Sequence, residues 1–421
     1  AGKTAGCKIS VLEYRQLEGL HTALPYGLRC IDISRTMLSG SMLAFTPFYV
    51  EEIQDYHGSF YGKNQISKHL IMADETKLNN ANMMILAVPG SGKSVFAKLK
   101  MGFEALADPD TDIIVIDPER EYGSLVKAYG GEVIKISAES PHHINLMDIN
   151  EDYSIEEAKP VTLKSQFIMS IFEHILNGIT PAEKTIIDRC VINVYKSYVE
   201  AGYKGEAPTF ETLYDEIKSC DEPEARDIAL AMELFVKGSL KFFNNYTNVN
   251  LNNLLIVADV YDLGEENLKY GMFIFIELFW NRIKKNRNIK KSIYLDEIWR
   301  LIGVTSNKEV ASFIYKIFKT IRKYGGSAVA ITQDISDLFS LENGIYGKSI
   351  LNNSEFKTFF ALEEENIKVL EQYSNLSEKE KIEIKSLKRG ECLMFIGEEH
   401  ILTKIDAGDF EKEIIESKKN K

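Results

Sequence analysis

The sequence predicts an α/β protein with a mostly parallel central sheet, an inserted all-helical subdomain and a β-rich N-terminal lead-in. Two patterns carry this. Eight short apolar runs recur between Met83 and Ile396, several of them continuous rather than alternating, as in strands buried on both faces of a parallel sheet. Helical patterns lie between many of them. A chain of 421 residues, 45% hydrophobic and 27% charged, is globular in composition and long enough for about two to three domains.

Residues 1–80 mix short apolar runs with turn signals, among them Phe45-Thr46-Pro47-Phe48-Tyr49 and Tyr56-His57-Gly58-Ser59-Phe60-Tyr61-Gly62, and read as the lead-in. With no initial Met and no signal segment, the chain reads as a piece of something longer. Residues 81–150 and 246–421 form the predicted core. Its strands are expected at Met83 to Ala87, Ile113 to Ile116, Glu132 to Ile136, Leu254 to Ala258, Ser292 to Leu295, Ser327 to Thr332, Phe356 to Leu362 and Cys392 to Ile396. Residues 151–245 interrupt the core with helical periodicity. Leu163, Phe167, Ile168, Ile171, Phe172, Ile175 and Leu176 make one apolar stripe, stopped by Gly178. A second helix opens at Thr180-Pro181-Ala182-Glu183, an N-cap hydroxyl, Pro at the first helical position and Glu placed to close a capping box. The C-terminal Glu411 to Lys421 reads as a charged helix end or frayed tail.

Fifty Lys and Arg against 62 Asp and Glu give a net charge of −12. Such a chain is ill suited to coat nucleic acid non-specifically, because phosphate binding is driven by counterion release from clustered cations. Nucleic acid binding is therefore not indicated by charge, although a local basic groove stays open. Cys7, Cys30, Cys190, Cys220 and Cys392 are odd in number and scattered, so neither a disulfide framework nor a zinc knuckle is expected, and a reducing cytoplasm fits. The apolar stretch Met272 to Trp280 contains Glu277 and is far short of the ~20 residues that span a bilayer. The histidines lack metal-ligand spacing. The run Lys284 to Lys291 reads as a solvated helix end and loop, and Phe273, Phe275, Phe279 and Trp280 as core.

The chemistry concentrates in one constellation. After the strand Met83 to Ala87 comes Ala87-Val88-Pro89-Gly90-Ser91-Gly92-Lys93-Ser94, then a helical pattern from Val95. A concave loop that points its amides at phosphates needs positive φ and close approach, which Gly90 and Gly92 supply. Lys93 is placed to reach the β and γ phosphates and Ser94 to ligate Mg²⁺, so Pro89 to Val95 is the predicted nucleotide-binding segment. The first glycine of the P-loop pattern is Ala87 here, which requires negative φ at that position. The strand Ser292 to Leu295 ends in Asp296-Glu297. Alone, that pair could equally be a cap on the next helix; beside a P-loop, Asp296 reads as holding Mg²⁺ through water and Glu297 as the base that activates the attacking water. Gln333, at the end of Ser327 to Thr332, is placed to bond the γ phosphate and that water. Glu121 and Asp117, in Asp117-Pro118-Glu119-Arg120-Glu121-Tyr122, are rival bases ranked behind Glu297. Arg322 and Arg389, each beside glycines just before a strand, are candidates to complete a neighbouring copy's site.

The order of these motifs, with the helical insertion between Glu121-Tyr122 and Leu295-Asp296-Glu297 and with Arg322-Lys323 before Thr332-Gln333-Asp334, resembles the motor domain of the large cytoplasmic ATPase of type IV secretion and conjugation systems, the VirB/TrbE/CagE-type family. Ala44-Phe45-Thr46-Pro47-Phe48, Gly62-Lys63-Asn64, Asn80 and Asn82 are similar to the segment that precedes that motor. The resemblance implies a RecA-like P-loop ATPase core, Mg²⁺-dependent hydrolysis of ATP, assembly toward a hexamer, and coupling of hydrolysis to pilus assembly and substrate transfer. As partners it implies other secretion components, including the coupling ATPase and inner-membrane proteins, and as location the cytoplasmic face of the inner membrane. A related FtsK/HerA-type DNA translocase and a nucleotide-responsive scaffold with little hydrolysis are the alternative readings.

Overall fold

The computed structural model describes residues 11–32, 37–43, 50–137, 139–149, 159–176, 178–285, 287–303, 308–333 and 335–416. The chain divides into two compact units, Ala1–Val50 and Glu51–Lys421. In the first, the described residues hold helices α1 (Gln16–Ala23) and α2 (Ser39–Leu43) and no strand. The strands of the predicted lead-in, residues 1–80, fall beyond this unit, while within it Leu17, Leu20 and Leu24 recur at the spacing of a helix face. Thr22 Oγ1 accepts from the amides of Cys30 and Ile31 at 3.1 Å each, tying the following loop back to α1. The motif Phe45 to Phe48 lies outside the described residues.

The second unit carries strands β1 (Ser59–Asn64), β2 (Leu70–Ala73), β3 (Met83–Leu86), β4 (Asp112–Asp117), β5 (Glu132–Lys135), β6 (Leu255–Asp259), β7 (Lys291–Leu295), β8 (Gly326–Thr332), β9 (Phe356–Phe359), β10 (Glu391–Ile396) and β11 (Glu399–Lys404). They form one sheet in the order β2-β1-β11-β10-β9-β3-β8-β7-β4-β6-β5. From β9 to β5 every pairing is parallel, and from β10 outward every pairing is antiparallel. All eight expected strands are present. β1 and β2, which fall within the predicted lead-in, are hydrogen-bonded into this same sheet. β3, β4, β6 and β7 are buried along their whole length, as continuous apolar runs demand.

The P-loop helix α3 (Lys93–Ala107) follows β3, and the short helix α4 (Gly123–Ala128) follows β4. Between β5 and β6 lie α5 (Pro160–Ile175), α6 (Pro181–Glu200), α7 (Phe210–Lys218) and α8 (Pro223–Val236). The capping box at Thr180 is present, with Glu183 N donating to Thr180 Oγ1 and the Glu183 carboxylate accepting from Thr180 N. These helices share one apolar cluster with residues of α9 (Gly264–Lys285) and of the sheet, including Ile134, Ile256 and Ile293. Beyond β7 come α10 (Trp299–Ile302) and α11 (Lys308–Thr320).

Asn82, fully buried just before β3, fixes where the P-loop strand starts. Its Nδ2 donates to Phe318 O at 2.7 Å and Asn353 O at 2.9 Å, and its Oδ1 accepts from Ala328 N at 2.8 Å. One side chain thus satisfies buried backbone groups of α11, β8 and the loop before β9. Asn82→Ala should lower stability by about 3 kcal/mol in chemical denaturation, because the orphaned backbone groups stay buried; a change under about 0.5 kcal/mol, the size of an ordinary surface substitution, would show that the tether does not matter.

Candidate nucleotide site

The parallel strands deliver their loops to one edge. β8 lies between β3 and β7, with Leu86 opposite Thr332 and Leu295 opposite Ala330, so the ends of β3, β7 and β8 are neighbours by register. Open α/β sheets bind ligands at this carboxyl edge.

The loop after β3 is stitched to both sides: Ala87 N donates to Thr332 O and Val88 N to Ala361 O, each at 3.3 Å. Ala87 is fully buried and is not among the residues with positive φ, so the substitution of the usual glycine brings no strain. Gly90 and Gly92 do take left-handed φ, +79° and +116°. At Gly92 a Cβ would also lie 3.3 Å from Gly390 N, because the turn before β10 presses on the loop and donates from Gly390 N to Ser91 O at 2.8 Å. Gly92 caps α3 with no side-chain bond, so among the described residues the first amides of the helix, at Lys93, Ser94 and Val95, receive no side-chain cap. These amides and the positive end of a fifteen-residue helix suit an anion.

Behind the loop, four predicted side chains converge. Lys93, only 6% exposed, places Nζ on the Glu297 carboxylate and 3.4 Å from Asp296 Oδ1. Gln333 Nε2 donates to the same Glu297 Oε1, and Trp299 Nε1 donates to Oε2 at 2.6 Å. Glu297 has φ +49°, uncommon for a residue with a side chain and a mark of a position held by its surroundings. Its amide donates to Asp296 Oδ1 at 3.0 Å.

Burial and charge act against each other here. Burial disfavours the Lys93 ammonium, but the carboxylates of Asp296 and Glu297 overcome it and hold the lysine above its ordinary range. Burial, reinforced by the neighbouring acids, pushes Asp296 up to about 7 even though Lys93 pulls it down. Asp296 Oδ2 and Glu121 Oε2 are buried with no hydrogen-bond partner among the described residues. Hard oxygen donors left unsatisfied beside a phosphate loop fit Mg²⁺. No group of three or more His, Cys, Asp or Glu able to hold a metal occurs among the described residues, so a cation here would need phosphate oxygens and water as further ligands.

The rival acids separate. Both Asp117 oxygens accept backbone amides, from Glu121 and Tyr122 at 2.9 Å each, so this carboxylate shapes the turn after β4. The two arginines separate as well. Arg389 is exposed in the turn against the P-loop of its own chain. Arg322 precedes β8, at the opposite edge from Gln333, a separation of roughly 20 Å along the seven-residue strand. Asp334 lies outside the described residues. Sequence reasoning missed Trp299, whose only signal is its place two residues after Glu297, and the packing of Gly390 on the loop, a contact between residues nearly 300 positions apart.

The strand, glycine-bend, helix arrangement with acids on a nearby strand end defines a P-loop protein of the RecA-like class. Residues 65–395 match the TraG P-loop domain, and the chain belongs to that family. Among solved structures it is similar to VirB4 of Thermoanaerobacter pseudethanolicus, at 27% identity and a TM-score of 0.74, covering 86% of this chain and 99% of that one. The plasmid coupling protein TrwB in complex with ADP and Mg²⁺ shares the fold, with a TM-score of 0.54 at 13% identity over 89% of this chain and 94% of that one. Protein TraC of Escherichia coli (strain K12) is 23% identical over 299 residues, which are 66% of this chain and 32% of TraC, so the chain spans about a third of that relative's length. The family read from the motifs is therefore the one to which these likenesses point.

The raised Asp296 makes a pH-dependent prediction. A carboxyl whose folded pKa lies above its unfolded one adds stability below about pH 4, and that stability is lost as pH rises toward 7. Asp296→Asn removes the penalty, so without nucleotide its thermal midpoint should exceed wild type at pH 8, with the gap closing toward pH 5. Equal midpoints at both pH values would contradict the electrostatic reading of the pocket.

Proposed function

We propose that this chain is the ATP-hydrolysing motor of a conjugation or type IV secretion machine. The observation that carries the reading is the convergence of Lys93, Asp296, Glu297 and Gln333 behind a glycine-bent loop at the start of α3. The likeness to VirB4 and TraC supports the machine; the likeness to TrwB supports the fold that binds ADP and Mg²⁺ in that protein.

In this proposal the amides from Gly90 to Val95 bind the phosphates of ATP, and Lys93 is shared between them and its two carboxylates. Ser94 and, through water, Asp296 would hold Mg²⁺, which when bound would neutralise phosphate charge. Glu297 then serves as the base. Phosphate oxygens compete for Lys93 and so remove one donor from Glu297 Oε1. A water aligned by the Gln333 amide gives its proton to that carboxylate as its oxygen attacks the terminal phosphorus, and the bond from that phosphorus to the bridging oxygen breaks, releasing ADP and phosphate. Trp299 keeps the opposite oxygen engaged and the carboxylate aimed. Asp117 is spent on the turn, which leaves Glu121 as the second acid of the pocket.

The arginines are assigned by edge. Arg322 can serve only a neighbouring copy, because it stands a strand's length from its own site, while Arg389 stands beside its own P-loop. A ring of copies, up to a hexamer, would use both. Partners are other components of the machine, including the coupling ATPase and inner-membrane proteins at the cytoplasmic face. No helix among the described residues is long and apolar enough to cross a membrane, so attachment there would run through partners.

Steady-state ATPase assays test the assignment. Lys93→Ala should lose turnover and triphosphate binding. Glu297→Gln should bind ATP normally and lose turnover by about 10²- to 10⁴-fold; near wild-type turnover would move the base to Glu121. In the same assay Arg322→Ala should remove any rise of specific activity with protein concentration, and an unchanged rise would refute its assignment to a neighbour.

A further inference from the structure

We propose that Cys190 and Cys220 form a peroxide-responsive thiol pair that closes to an intrachain disulfide, stapling α6 to the turn after α7. The two cysteines are thirty residues apart in sequence, yet their Sγ atoms are 3.6 Å apart. Bonding requires the sulfurs to approach by only about 1.5 Å more. Cys30 and Cys392, the other described free cysteines, have no thiol neighbour of this kind among the described residues.

The surroundings give the two thiols different roles. Cys220 is partly exposed, immediately beyond the C-cap Ser219 of α7. It lines a groove of about 260 Å³ between α7 and α8, with Tyr214, Ile217 and Ala225, through which a small oxidant can reach sulfur. The Arg189 guanidinium donates to Cys220 Sγ at 3.7 Å, while also pairing with Glu222 at 2.7 Å. Cys190 is buried in the middle of α6, where burial and the neighbouring Cys220 push its thiol up to about 12 and keep it protonated. Cys220, reached from the groove, is thus the attacking sulfur and the fully buried Cys190 the resolving one.

The chemistry balances with hydrogen peroxide as the oxidant. Cys220 thiolate attacks one peroxide oxygen, the O–O bond breaks, and hydroxide leaves, giving Cys220 sulfenic acid. Cys190 sulfur then attacks the sulfenic sulfur; the S–S bond forms, the S–O bond breaks, and the hydroxyl departs with the Cys190 proton as water. Two thiols are oxidised by two electrons and one peroxide is reduced. Nothing in this depends on nucleotide hydrolysis.

The test is limited peroxide treatment of the whole chain, followed by alkylation of remaining thiols and peptide mapping. The expected product is a Cys190–Cys220 crosslink, a mass loss of about 2 Da and full reversal by dithiothreitol. In Cys190→Ser, Cys220 should accumulate as sulfenic acid that dimedone traps; in Cys220→Ser, Cys190 should stay a thiol at the same dose. The crosslinked chain should melt at a higher temperature than the reduced one. Over-oxidation of Cys220 without a crosslink, equal reactivity of Cys190 when Cys220 is absent, or a lowered melting temperature would each overturn the proposal.

Discussion

A lysine ammonium buried between two carboxylates is the interaction around which the pocket is arranged. A buried lysine normally sheds its proton, as Lys164 illustrates: burial pushes it down to about 7, and attraction from Asp148 does not restore it. Lys93 is buried nearly as deeply but stays charged because Asp296 and Glu297 stand against it. The same contact disposes of two acids that would repel each other, and it leaves Asp296 Oδ2 unsatisfied. Such an arrangement is weak as a source of stability, since desolvation offsets most of the attraction. It is apt for a site that exchanges partners, because a phosphate oxygen can take the place of a carboxylate on the Lys93 ammonium.

The sheet makes this contact possible. Lys93 and Asp296 are 203 residues apart, and they meet because parallel strands must end at the same edge. The helical insertion leaves after β5 and returns at β6, away from the three strands that carry the site, so its helices fill out the core without entering the pocket. The antiparallel strands extend the sheet on the other side, and the turn before β10 supplies the glycine that abuts the P-loop.

Much of this was legible in the sequence because parallel strands buried on both faces are written as unbroken apolar runs, and because a phosphate loop needs glycine where φ is positive. β11 was missed for the opposite reason: His400, Thr403 and Lys404 interrupt an edge-side strand with polar residues, and its burial is uneven. The helical character of residues 16–23 was hidden by short length and surrounding turn residues. The pattern ranked Glu297 ahead of Glu121 and Asp117, but the hydrogen-bond partners that distinguish their surroundings are not encoded locally in the sequence. For the arginines, the pattern gave two equal candidates, and strand direction separated them.

The central claim is that a nucleoside triphosphate displaces a carboxylate from Lys93 and so disturbs the three-donor cluster on Glu297. The chain has two tryptophans, and only Trp299 donates to Glu297, while Trp280 packs against Tyr324. Fluorine NMR of the chain labelled with 5-fluorotryptophan therefore reads the pocket with a built-in control. On adding Mg²⁺ and a non-hydrolysable ATP analogue, the account predicts a saturable shift of the Trp299 resonance with Trp280 unmoved; a Trp299 resonance that stays put at saturation would contradict it.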